Sequence, residues 1–325
     1  MSELTSAPAG AGWESVPCPV CGASDATPVL DVPHPDAPDG LSRVVRCAGC
    51  GLHRLEPRPS MAVIGKYYGG GYNAFIGRTR SAAKQARWDF LRDSGSGAPG
   101  RGARARLLRP FTRRFADWAF DITIPFDGEN PPRVIEIGCG YGDLLMYLKS
   151  RGCTVQGVDM DPGAAAVGAQ HGLPIHVGHV TDLKLPAGSL DRAVMCHSLE
   201  HVPDPREQLT ELARLLRPGG ILHIAVPNGK SAGLRLEGRA WLHLSHPLHL
   251  WFFDSLTLKR LVSECGFEPR ITYATSRHHQ LGKVRERARL RGWPAALRET
   301  ARILAAHAGD PDSGDVLRLQ AVRRP

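Results

Sequence analysis

The chain has 325 residues, 42% of them hydrophobic, enough for one large domain or two modest ones around a substantial core. It carries a formal net charge of +9, and no stretch approaches the roughly 18–20 apolar residues of a membrane span, which excludes an integral helical membrane protein. The opening MSELTSAPAGAG has neither a basic start nor an apolar run, so no secretory signal is expected and the compartment is expected to be the reducing cytoplasm.

In chain order, residues 1–16 are small and polar and read as a disordered tail. Residues 17–60 hold two pairs, Cys18-Pro-Val-Cys21-Gly and Cys47-Ala-Gly-Cys50-Gly, separated by 25 residues. Two such knuckles supply four thiolates for a tetrahedral zinc, and the glycine after each pair relieves the tight turn beneath the metal. All four ligand positions are then filled, so the zinc is structural. Redox pairs or disulfides are the alternatives, and a reducing compartment disfavours them. Short apolar runs at Pro28–Val32 and Arg43–Arg46 suggest a small β-rich module held by metal rather than by a core. Residues 61–125 read as a linker and a basic helical segment. KYYGGGYNAF lacks the GK[ST] ending of a phosphate loop and reads as a bend. From Arg78 to Arg114 there are 11 basic residues and only two acids, Asp89 and Asp93. Such a run suits an anionic partner (a phosphorylated substrate, a nucleic acid or a membrane surface) or is a solvated helix face.

From residue 126 onward strands alternate with helices. RVIEIG is a strand, Asp143–Arg151 a helix, TVQGVD a strand, PGAAAVGAQHG a helix, and PIHVGH and DRAVMCH strands. REQLTELARLLRPGG is a helix whose Leu209, Leu212, Leu215 and Leu216 share a face and which Pro-Gly-Gly stops. ILHIAVP is a strand, Asp254–Gly266 a helix, and strands follow at Glu268–Ala274 and Asp315–Val322, with a basic helical insertion at 278–308 between them. This alternation predicts a doubly wound, mostly parallel α/β sheet, with insertions at 228–255 and 276–314.

The strand RVIEIG runs directly into GCGYG and then a helix, so Gly138, Gly140 and Gly142 let the backbone turn sharply beneath a ligand. About 20 residues on, GVD places Asp159 where it can accept both hydroxyls of a ribose. A nicotinamide site fits less well: Glu136 lies inside the strand, and the spacing is GxGxG rather than GxGxxG.

Residues 131–275, through EIGCGYG, GVDMDP, SLDRAVMCHSLEHVPDP, LLRPGG and HPLHLWFF, resemble class I S-adenosylmethionine-dependent methyltransferases, in particular the ubiquinone-type O-methyltransferases. The resemblance implies a seven-stranded Rossmann-like sheet with a reversed last strand. It implies that the glycine turn cradles methionine and ribose, so the expected cofactor residues are Glu136, Gly138, Cys139, Gly140, Gly142, Asp159, Met160 and His197. Where such enzymes often place Asp after Gly to meet the adenine amine, this chain has His179, with Asp182 three residues on, and either is expected to serve. At positions 197, 200 and 201 the ubiquinone-type relatives read Glu, Glu, His and can hold a divalent metal. Here His197 replaces the first acid, which disfavours magnesium, and a structural role is expected for Glu200 and His201. The N-terminal cysteine module resembles one found in a subset of these methyltransferases associated with sugar, glycolipid or secondary-metabolite pathways.

Methyl transfer requires the acceptor to be aligned and, for a hydroxyl, deprotonated. Histidine suits that proton transfer. WLHLSHPLHLWFF places His243, His246 and His249 after the fifth strand, with Trp241, Trp251 and Phe253 as candidate pocket walls. His249 is the expected base, then His246, with His201 a further candidate. The reading is a methyltransferase acting on a small-molecule, sugar or glycolipid acceptor, anionic or sugar-linked, by O-methylation. The alternative is an RNA methyltransferase that holds RNA on the zinc module and arginine-rich helices.

Overall fold

The computed structural model describes residues 12–68, 131–275 and 292–325, together with 284, 288 and 289. The basic stretch 78–114 and the glycines of the tyrosine-rich connector lie outside these residues, as does 276–283.

The strands are β1 Trp13–Glu14, β2 Ala26–Pro33, β3 Leu41–Cys47, β4 His53–Glu56, β5 Arg58–Pro59, β6 Arg133–Ile137, β7 Thr154–Asp159, β8 Ile175–Val177, β9 Leu190–Cys196, β10 Leu216–Pro227, β11 Trp251–Phe252, β12 Phe267–Thr275 and β13 Val316–Arg323. Seven of them form one sheet in the order β12-β13-β10-β9-β6-β7-β8. β6 runs parallel to both β7 and β9, and β7 to β8. The strands expected from the sequence are those observed, and the last strand inserts between β12 and β10. The described residues fall into two compact units. One draws on Met1–Gly69, His197–Leu209 and Ile224–Ala321; the other draws on Gly70–Cys196, Thr210–His223 and Val322–Pro325.

In the second unit, the helix Asp143–Ser150 buries Leu144, Leu145, Tyr147 and Leu148, the one-sided spacing of an amphipathic helix. They pack with Val134 of β6, Val155 of β7, Val194 of β9 and, ahead of β8, Leu173. Gly142 precedes this helix with φ +79°, and a Cβ there would lie 2.6 Å from Leu173 Cδ1. Gly142→Ala is expected to destabilise the fold by about 1–3 kcal/mol, from left-handed strain and the clash together; thermal unfolding checks it. The helix Pro162–Gln170 starts where Asp161 accepts the Gly163 N–H at 2.8 Å, with Pro162 in the first turn.

The helix Pro205–Leu215 is shorter than its apolar pattern predicts. Leu216, expected on the same face as Leu209, Leu212 and Leu215, instead begins β10. Pro218 disfavours helical backbone at Arg217, so the turn ends before the Pro-Gly-Gly.

In the first unit, β2, β3, β4 and β11 form an antiparallel sheet in the order β11-β4-β3-β2. The N-terminal module therefore takes its fourth strand from residues 251–252. It also has a core: Val32 and Val44 pack with Leu234, Trp241, Leu244 and Phe252. The expectation of a module held by metal in place of a core is corrected by these later residues, whose partnership a linear pattern does not reveal. Residues 13–14, expected to lie in the disordered tail, form a strand. Trp13–Glu14 pairs antiparallel with Arg58–Pro59, and Glu14 bonds Arg58 at 3.0 Å. Among the described residues, no helix is long and apolar enough to cross a membrane.

Candidate active site

The end of β6 turns through Gly138, Gly140 and Gly142, all in the left-handed region, at φ +71°, +49° and +79°. A side chain at these positions would be strained, which is why glycine recurs at alternate residues. Asp159, at the tip of β7, holds the turn from the neighbouring strand. One carboxylate oxygen accepts the Gly140 N–H at 2.7 Å and the other accepts the Asp161 N–H at 2.9 Å. Each oxygen keeps a further lone pair for a ligand hydroxyl. Met160 follows, 56% exposed despite its apolar side chain. Cys139 is buried, its Sγ 3.5 Å from the Gly140 carbonyl.

Glu136 is buried in β6, and its Oε2 has no hydrogen-bond partner. Burial first, and then the Asp159 charge, raise its carboxyl well above the ordinary value. Two acids face one small space, one of them lacking a donor. A ligand carrying positive charge and hydroxyl or ammonium donors would relieve both. Glu136→Gln is expected to stabilise the cofactor-free protein while weakening cofactor binding. Because the folded carboxyl titrates above its unfolded value of 4.5, the unfolded chain ionises first as pH rises, and the wild type loses stability relative to the variant. The variant's advantage should widen from about pH 4 to about pH 7, as melting scans at both values would show.

Asp182 Oδ2 accepts the His179 N–H at 2.8 Å, so the two residues expected at adenine form one small turn.

The other predicted residues gather around Glu200, which sits in the turn Leu199–His201 with its side chain fully buried. His197 Nδ1 lies 3.3 Å from Glu200 Oε1. His249 Nε2 is 4.0 Å from the same oxygen, and its Nδ1 donates to the His243 carbonyl at 2.7 Å. His201 Nδ1 bonds the Leu248 carbonyl at 3.0 Å, and its ring meets His249 edge-to-face at 4.6 Å. Ligand atoms of Glu200, His201 and His249 lie within 4.8 Å of one another. Burial raises the Glu200 carboxyl, but the His197 hydrogen bond and the surrounding imidazoles outweigh it and hold it below its ordinary value. His249 is pushed down to about 3 by burial and then by the His201 charge, which makes it a weak proton acceptor.

His246 lies apart from this cluster. Its ring packs 5.1 Å from His34 and 6.2 Å from Trp13, and burial with the His34 charge brings it down to about 4. Trp241 and Trp251 are core residues rather than pocket walls, since their indole nitrogens donate to Asp315 Oδ1 at 3.0 Å and to the Val202 carbonyl at 2.7 Å. Phe253 is fully buried. The sequence pattern ranked Glu200 below the histidines. A carboxyl one residue before His201, just beyond a buried strand, was the available signal, but its position as hub depends on the distant loop 243–249.

Cys18, Cys21, Cys47 and Cys50 converge, all four Sγ atoms within 4.8 Å of one another. Cys18 and Cys50 Sγ are 3.5 Å apart, as are Cys21 and Cys47 Sγ. Gly22 and Gly51 take φ +76° and +83°, as expected for the residue closing each knuckle. Burial raises the Cys47 thiol, but N–H groups of Cys50 and Gly49 and its cysteine neighbours outweigh it, bringing it down to about 7. Arg206 braces the first knuckle, donating to the carbonyls of Pro19 and Val20 at 3.0 and 3.2 Å.

A parallel sheet whose first strand turns through glycines under an acid of the next strand belongs to the nucleotide-binding α/β proteins. A family model described as a methyltransferase domain matches residues 101–270, just over half of the chain, and the protein belongs to that family of S-adenosylmethionine-dependent enzymes. The matched residues begin after the cysteine knuckles. The ubiquinone biosynthesis O-methyltransferase of Xanthomonas oryzae pv. oryzae is 36% identical over 111 residues, 32% of this chain and 46% of that protein. The enzyme of the same description from Dinoroseobacter shibae is 33% identical over 157 residues, 45% of this chain and 62% of that protein. The chain thus spans about half the length of the curated relatives it matches. Among solved structures, phosphoethanolamine N-methyltransferase 2 of Haemonchus contortus, in complex with S-adenosyl-L-methionine, is 16% identical with a TM-score of 0.48, over 83% of this chain and 62% of that one.

Proposed function

We propose that the protein transfers the methyl group of S-adenosylmethionine to a hydroxyl of a small-molecule acceptor, with a histidine of the Glu200 cluster taking the proton. The observation that carries the reading is the Glu136–Gly142 turn. Asp159 is already aimed by two backbone N–H groups, and beside it stands a buried Glu136 oxygen with no donor. Glu136, the turn from Gly138 to Gly142 and Asp159 would hold the methionine and ribose portions, with Met160 and the His179–Asp182 turn toward the base. When bound, the cofactor supplies an electrophilic methyl on a sulfonium. The chain's own residues then align the acceptor oxygen in line with that methyl and remove its proton. The relatives described as ubiquinone biosynthesis O-methyltransferases favour a hydroxyl of a small molecule over RNA as the acceptor.

We also propose that Cys18, Cys21, Cys47 and Cys50 hold a structural zinc. Thiolates about 2.3 Å from zinc sit about 3.8 Å apart in a tetrahedron, and the Cys18–Cys50 and Cys21–Cys47 sulfurs, 3.5 Å apart, come close to that spacing. With four thiolates the metal has no open position, so its role is to fix the knuckles.

Incubating the protein with methyl-labelled S-adenosylmethionine and a panel of phenols, catechols, sugars and short RNAs tests the acceptor class. Transfer to a small-molecule hydroxyl is expected. Transfer to RNA alone would overturn the small-molecule reading.

A further inference from the structure

The helix Trp293–Gly309 belongs to the first unit and falls in the basic insertion expected from the sequence at 278–308. One of its faces is buried in the ordinary way, through Ala296, Thr300 and Ile303 at i, i+4 and i+7. The helix packs against the helix Ala232–Glu237, whose Leu234 shares a core with Trp241 and Leu244. A second strip runs along its outer side. Trp293, Leu297, Ala301 and Ala305 follow one another at four-residue steps, and all are exposed. Trp293 keeps 58% of its surface and Leu297 55%. Single exposed apolar residues are ordinary, but two large ones side by side, continued by alanines, make a patch. The helix already buries its other face, so folding does not account for this one.

The charges beside the strip are positive. Arg298 follows Leu297 and Arg302 follows Ala301, so the two arginines run along its border, and both are exposed. Arg289 is exposed as well, in a helical turn that ends where the Gly292 N–H donates to the Ala288 carbonyl at 2.9 Å. From Lys283 to Arg302 the sequence holds seven basic residues and two acids, Glu286 and Glu299.

We propose that the outer face of the helix Trp293–Gly309 docks the protein on an anionic lipid bilayer, with the helix lying in the plane of the headgroups. Indole is apolar across its rings and carries one N–H, which suits Trp293 to the boundary between headgroups and acyl chains. Leu297 and the alanines add apolar area beside it. An arginine stem lies along apolar surface while its guanidinium stays with phosphate, so Arg298 and Arg302 supply the attraction to anionic lipid. The helix has 17 residues and one face in the core, so it rests on the bilayer and does not cross it. The same charges disfavour a second copy of the chain as the partner, because a two-fold contact through this face would bring Arg298 and Arg302 of both copies together. A nucleic acid would engage the arginines and leave Leu297 in water. Docking of this kind is independent of which acceptor is methylated.

Vesicle sedimentation with the full chain tests the proposal. Vesicles of equal parts phosphatidylglycerol and phosphatidylcholine should bind the protein, and phosphatidylcholine alone should bind it at least about tenfold more weakly. A chain carrying Trp293→Ser and Leu297→Ser together should lose at least about tenfold in affinity for the mixed vesicles. A chain carrying Arg298→Gln and Arg302→Gln should also bind them more weakly, with a flatter salt dependence, and should bind phosphatidylcholine as the wild type does. Both should melt at the wild-type temperature, since the altered side chains are exposed. Brominated acyl chains quench a tryptophan that touches them. Quenching should occur in the wild type and disappear in Trp293→Phe, which keeps its binding.

No binding to the mixed vesicles would overturn the proposal. So would binding that the serine pair leaves intact, or quenching that survives in Trp293→Phe, since either places the contact elsewhere on the chain. A protein that dimerises without lipid and becomes monomeric in the serine pair has its own copy as the partner. One that ignores vesicles but binds RNA through the arginine pair has a nucleic acid as the partner. Either result overturns the lipid surface.

Discussion

Purified protein is expected to carry one zinc per chain, and removing it with a strong chelator should unfold the N-terminal sheet and lower the melting temperature on the order of 10 °C. The magnitude follows from the apparent binding free energy of structural zinc, about 10–16 kcal/mol in small zinc modules. Part of that is offset here because the sheet also has apolar support, with Val32 and Val44 packed against Trp241 and Phe252. A Cys47→Ser variant should behave like the stripped protein, and thiol reductants should not reproduce the effect. Acid should release the metal, because protons compete for the thiolates. Protein that contains no zinc, or cysteine variants that melt at the wild-type temperature, would refute the site. Because β4 of this sheet pairs with β11, loss of the zinc should also disturb the strand immediately after the histidine loop. Hydrogen exchange at Trp251 and Phe252 would report that disturbance.

Much of the fold is legible in the sequence because its signals are local. Alternating strands and helices of regular length read directly as β6 to β10. The glycines of the turn after β6 occur where the backbone needs a positive φ, and the cysteine knuckles announce themselves by spacing and by Gly22 and Gly51. Misread features depend on partners distant in sequence. Trp13–Glu14 has no strand signal of its own and exists as a strand because Arg58–Pro59 lies beside it. Trp241 and Trp251 look like pocket walls until Asp315 and Val202 are seen to take their indole N–H groups. His246 and His249 are three residues apart, yet one packs among the rings of Trp13 and His34 while the other lies 4.0 Å from Glu200. Burial is also invisible to spacing. His249 has the right residue type for a base, but its surroundings bring it down to about 3. Leu216 carries the helical period past the point where Pro218 permits a helix.

Asp159→Ala is expected to weaken S-adenosylmethionine binding by at least about 10-fold, read by calorimetry. The carboxylate would accept the ribose hydroxyls, and each hydrogen bond to a charged acceptor contributes about 1.5–3 kcal/mol, with about 1.4 kcal/mol per tenfold in affinity. The alanine has a second effect. It leaves the Gly140 and Asp161 N–H groups without their acceptors, at 2.7 and 2.9 Å in the wild type, so the glycine turn itself loosens. Asp159→Asn separates the two contributions. Its single carbonyl oxygen can hold one backbone N–H but carries no charge, so it should bind the cofactor more weakly than wild type and melt closer to it than the alanine does. The Glu136 carboxyl gives an internal control. With the Asp159 charge gone in either variant, one of the two influences raising Glu136 is removed, and its carboxyl should titrate lower. Infrared difference spectra of the carboxyl band across pH would follow it. Unchanged cofactor affinity in both variants would show that the turn does not hold the ribose, and the assignment of Glu136–Gly142 as the cofactor site would fall with it.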